Sequence, residues 1–66
     1  MRYYADIKYN DINKIIKIDD WCYTRFKERT WYAWGFYKHS KPKGKYIRYR
    51  FTYCKDCVEF KLTWLG

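Results

Sequence analysis

Three cysteines, a single histidine and a run of cationic and aromatic residues are the chemistry-bearing side chains of this 66-residue chain. Cys54-Lys55-Asp56-Cys57 is a C-x-x-C, and two thiolates at that spacing can share a zinc ion. Cys22 and His39 would complete a Cys3His set, the four ligands of a closed structural zinc site, which would reinforce a thin core. The competing reading is two unliganded thiols at a turn, with His39 opening a loop. A redox dithiol is the weaker reading of the same motif, because the chain shows no β-α-β pattern around it. Beyond this structural zinc, no cofactor is expected.

The second constellation is electrostatic. Residues 1–29 carry seven bases and five acids, and residues 54–66 carry two of each. Between them, residues 30–53 hold six bases, no acid and nine aromatics, which is +6 of the total +8. Cations that follow phosphates, interleaved with rings that stack on bases, are what a nucleic-acid surface requires. The residues expected to carry it are Trp31, Tyr37, Lys41, Lys43, Lys45, Tyr46, Arg48, Arg50 and Lys61. The bland alternative is a solvated sheet face kept soluble by Lys and Arg.

Enzymatic chemistry lacks parts. Ser40 is the only serine and is adjacent to His39 in an extended segment, which directs the two side chains apart. There is no glycine-rich phosphate loop. The adjacent Asp19 and Asp20 read as a helix cap or turn before they read as metal ligands. The expectation is a protein that is not an enzyme.

These side chains need elements to hold them, and past Thr30 the hydrophobic period is two. Ile47, Tyr49, Phe51 and Tyr53 alternate with Tyr46, Arg48, Arg50 and Thr52, a half-buried strand. Val58, Phe60, Leu62 and Trp64 alternate in the same way. A turn at Lys55-Asp56 would pair Tyr53 with Val58, Phe51 with Phe60, Tyr49 with Leu62 and Ile47 with Trp64, all apolar. In that register Arg50 faces Lys61, a like-charge pair that a bound anion would relieve.

The segment 31–39 connects through Ser40-Lys41-Pro42-Lys43 and Gly44 to form a second hairpin. Pairing Phe36 with Ile47, Trp34 with Tyr49 and Tyr32 with Phe51 extends the apolar face. It leaves Trp31, Ala33, Gly35 and Tyr37 beside Tyr46, Arg48 and Arg50. A first strand is read over residues 2–9, closed by Asn10-Asp11. Residues 12–29 fit either a helical face or further strands, with Asp19 or Asp20 as a cap.

The fold expected is all-β, a small antiparallel meander of five or six strands, open or closed as a barrel. The alternative is α+β with one helix near 20–29. Residues 1–66 form a single domain, since a chain this short supports one thin core.

The opening Met1-Arg2-Tyr3-Tyr4-Ala5-Asp6 contains no signal-peptide run, so a cytoplasmic or host-intracellular location is expected. The longest strongly apolar stretch, 31–37, falls far short of the roughly 18 residues of a membrane span. The richness in Lys, Ile, Tyr, Asn and Asp, without Gln, points to AT-rich coding and a phage or viral source. Two functional expectations follow. One is a small basic module that binds DNA or RNA through an aromatic, cationic sheet face. The other is a viral or phage inhibitor that meets an acidic or nucleic-acid-binding host protein, such as a defence nuclease, through that same face.

Overall fold

The structure, a computed structural model, describes residues 3–26, 30–40 and 43–65. Five elements follow in the order β1 (Tyr3–Lys8), α1 (Ile12–Arg25), β2 (Trp31–Lys38), β3 (Gly44–Phe51) and α2 (Cys54–Trp64). The three strands make one antiparallel sheet in the order β1-β3-β2, so β1 and β2 run the same way on either side of β3. This is a split β-α-β arrangement followed by a hairpin strand and a second helix.

The fold is therefore α+β with an open three-stranded sheet, and not an all-β meander or barrel. The alternative, α+β with one helix near 20–29, has this class, but α1 begins eight residues earlier, residues 27–29 lie outside the described residues, and a second helix replaces the last expected strand.

The cause lies in spacings shared by both periods. Phe60 and Trp64, four residues apart, fit alternation and a helix equally, but Cys57, Phe60 and Trp64 complete an i, i+3, i+7 stripe. Cys57 and Phe60 are buried and Trp64 half-buried, whereas Val58 and Leu62, the other members of the alternating set, are exposed. The β3 edge that a carboxy-terminal hairpin would need is already taken by β1. The turn at Lys55-Asp56 is consequently the first turn of α2.

In α1, Ile15, Ile18 and Cys22 form the buried stripe. Asp11 caps it, its Oδ1 accepting from the Asn13 N–H at 3.0 Å. Phe26 ends the helix with its N–H on the Cys22 carbonyl at 2.8 Å and turns its ring into the core.

Both helices pack on one face of the sheet. The core joins Ala5, Ile7, Tyr49 and Phe51 of the strands to Ile15, Ile18 and Cys22 of α1, Phe26 and Trp31, and Cys57 and Phe60 of α2. Phe60 is its hub, with ring centroids 4.8 Å from Tyr49, 5.1 Å from Phe51 and 6.1 Å from Trp21. Buried Tyr49 donates its hydroxyl to Asp19 Oδ1 at 2.8 Å, which ties α1 to the central strand. An Arg25–Glu59 ion pair links the two helices.

Gly44 opens β3 at φ 138°, a conformation L side chains rarely adopt. A Cβ there would stand 2.9 Å from Lys8 Cε. Among the described residues no helix is long and apolar enough to cross a membrane.

Candidate nucleic-acid interface

With both helices on one side, the opposite face of the sheet is left open, and the register decides what it displays. Across the sheet, Tyr4, Arg50 and Tyr32 form one row, Asp6, Arg48 and Trp34 the next, and Lys8, Tyr46 and Phe36 a third. Lys38 stands beyond, opposite Gly44. Rows two residues apart on a strand are separated by about 7 Å.

The hairpin pairs Trp31 with Phe51, Ala33 with Tyr49 and Gly35 with Ile47, one residue away from the expected register. A single-residue slip exchanges the faces of a strand. Trp31 accordingly lies under the helices at 2% exposure, and the open face receives Tyr32, Trp34, Phe36 and Lys38 instead of Trp31, Ala33, Gly35 and Tyr37. Expecting apolar residues to pair with apolar residues left out a second stabilising match, arginine against aromatic rings.

That match is what the open face contains. The Arg48 guanidinium lies 5.1 Å from the Tyr4 ring centroid and 5.0 Å from that of Phe36. Arg50 lies 5.1 Å from Tyr32, and Lys38 Nζ is 5.0 Å from Tyr46. Phe36 and Tyr46 stack at 5.6 Å, and Tyr4 meets Trp34 edge-on at 6.2 Å. Tyr32, Trp34 and Tyr4 remain 46%, 42% and 38% exposed, large rings held in place with area still open to solvent.

Arg48 also donates two hydrogen bonds to Asp6, at 2.7 and 3.0 Å. That bond, with the charges of Arg48, Lys38 and Lys61, holds the Asp6 carboxyl below its ordinary range against the opposing effect of burial. The face thus carries Lys8, Lys38, Arg48 and Arg50 against one carboxylate, and Arg50 forms no ion pair among the described residues.

No family model matches this chain. Neither the comparison with curated proteins nor that with solved structures finds a match.

The sequence-expected residues divide. Arg48, Arg50 and Tyr46 share the open face, although Tyr46 is buried beneath Phe36 and Lys38. Tyr37 and Lys45 pair on the other side, where they line an open groove of about 690 Å³ with Tyr9, Asn10, Asp11, Ile12 and Gly44. Lys43 is exposed just before β3, and Lys41 lies outside the described residues. Lys61 is on α2 instead of opposite Arg50, near enough to Asp6 to favour its charged form.

Tyr4, Lys8, Tyr32, Trp34, Phe36 and Lys38 are the residues of this face that sequence reasoning missed. One signal was available: Asp6 lies between Tyr4 and Lys8 and is the one acid in β1, which made it a natural partner for Arg48. The proposed Cys3His set is not assembled. Cys22 faces the core from α1, Cys54 and Cys57 are on α2, and His39 packs against the Tyr37 ring at 4.6 Å after β2. Among the described residues no group of three or more His, Cys, Asp or Glu is placed to hold a metal ion.

Proposed function

We propose that this protein binds single-stranded nucleic acid on the open face of its sheet. The observation that carries the reading is the grouping of exposed Tyr4, Tyr32 and Trp34 around Arg48 and Arg50 on a face no helix covers. A ring standing on a flat sheet can stack only on a base that is free of its own neighbours, which favours single strands over duplex. Arg48 and Arg50 stacked on rings can in turn offer their outer N–H groups to phosphate. Lys8, Lys38 and Lys43 at the margin add charge that follows a backbone without reading sequence.

The test is fluorescence anisotropy with labelled single-stranded and duplex oligonucleotides of equal length across a salt series. The expected result is preferential binding of the single strand that weakens steeply with salt, because phosphate contacts release counterions. Absence of binding to either oligonucleotide at low salt would overturn the proposal and favour a protein partner for the same aromatic and arginine surface.

A further inference from the structure

We propose that Cys54 and Cys57 form a thiol–disulfide exchange pair at the amino end of α2, with Cys54 attacking and Cys57 resolving. This inference stands apart from the nucleic-acid reading. The two cysteines occupy the first and fourth positions of an eleven-residue helix. Helical rise and radius place Cα atoms three residues apart at about 5 Å, inside the span a disulfide bridges.

Their surroundings differ as the two roles require. Cys54 is exposed, whereas Cys57 is 4% exposed and its Sγ lies 3.6 Å from the Tyr4 carbonyl oxygen, to which the thiol donates. An outside disulfide can reach the first sulfur but not the second. Cys54 is the first residue of α2, directly after the N-cap Tyr53, which makes no side-chain cap hydrogen bond that would cover it. Burial and Cys54 itself raise the Cys57 thiol, while Lys61 lowers it, which suits a sulfur that acts second. Cys22 is an internal control: burial in the core pushes it up to about 12 and leaves it unreactive.

The chemistry balances with a low-molecular-weight disulfide such as oxidised glutathione as the electron acceptor. The Cys54 thiolate attacks one glutathione sulfur, the glutathione S–S bond breaks, and one glutathione leaves as thiolate and takes a proton. Cys57 then loses its proton to solvent and attacks Cys54 Sγ, releasing the second glutathione. One disulfide is reduced to two thiols, and the protein dithiol is oxidised to one disulfide. Because the departing proton is the one donated to Tyr4, oxidation also removes the Cys57 hydrogen bond to β1.

The experiment treats the reduced full chain with excess oxidised glutathione, follows intact mass, and maps tryptic peptides. Trypsin cuts after Lys55, between the two cysteines, so an internal bond leaves two peptides joined. The expected product has lost two hydrogens, retains no glutathione, keeps a free Cys22 thiol, and forms faster in the native chain than in guanidinium chloride. Cys57→Ser should stop at a stable glutathione adduct on Cys54, and Cys54→Ser should give neither product. A persistent Cys54 adduct in the unsubstituted chain would overturn the assignment. So would a bond to Cys22, or equal rates in native and denatured protein. The rate comparison uses the unsubstituted protein, so the test survives a variant that fails to fold.

Discussion

Arg48 and Asp6 face each other across the β3–β1 pair, joined by two hydrogen bonds of 2.7 and 3.0 Å. The pair orients the guanidinium so that its plane is shared by Tyr4 on one strand and Phe36 on another. It also neutralises one of the two arginines of the open face and leaves Arg50, two residues on, with a ring and no acid among the described residues. Arg48 is therefore chiefly an organiser of the surface, and Arg50 its more available cation.

Asp6→Asn should lower stability by about 1 kcal/mol at neutral pH, in keeping with a well-aligned but partly exposed ion pair. The pH dependence follows from the depressed carboxyl. Its contribution is fully present above the ordinary value of 3.8 and is lost as pH falls through the lower folded value. Urea unfolding of both proteins should show a constant gap above about pH 5 that closes below about pH 4.

Trp34→Ala should weaken single-strand binding by roughly 1–3 kcal/mol, about 5- to 150-fold, with little change in thermal stability. Tyr37→Ala, on the other side of β2, should leave affinity within about twofold. Anisotropy titrations separate the observed register from the one-residue slip, since the slipped hairpin would put Tyr37 in the interface and Trp34 in the core.

Arg50→Ala should reduce the slope of log affinity against log salt by about 0.7, the contribution of one phosphate contact on a single strand. An unchanged slope with unchanged affinity would remove Arg50 from the contact set.

Phe60→Ala deletes the ring that joins Tyr49, Phe51 and Trp21, a change that costs about 3–5 kcal/mol in a closed core. A domain of this length holds roughly 3–10 kcal/mol in total. Circular dichroism should therefore find the variant largely unfolded or melting far below the parent.

What could be read from the sequence was local. The alternation in β1 and β3 and the placement of Arg48 and Arg50 together on one face follow from a period of two that no other element contradicts. Two features depended on distant partners. The segment carrying Phe60 and Trp64 satisfies strand and helix periods alike, and only the occupation of the β3 edge by β1 decides between them. The hairpin register turned on whether Tyr32, Trp34 and Phe36 belong in the core. Two short helices cannot cover β2 beyond Trp31, so those rings go to the arginines on the far side. The two arginines of the candidate site were legible for that reason, whereas Lys8, Lys38 and all its rings but Tyr46 were not.

The most direct measurement follows the four tryptophan indole N–H signals by NMR during titration of isotope-labelled protein with a short single-stranded oligonucleotide. Trp34 belongs to the open face, Trp31 is buried beneath the helices, and Trp21 and Trp64 pack against each other in the helical layer. The Trp34 signal should shift with saturable dependence on oligonucleotide while the other three hold their positions. Shifts confined to Trp21 and Trp64, with Trp34 unmoved, would contradict it.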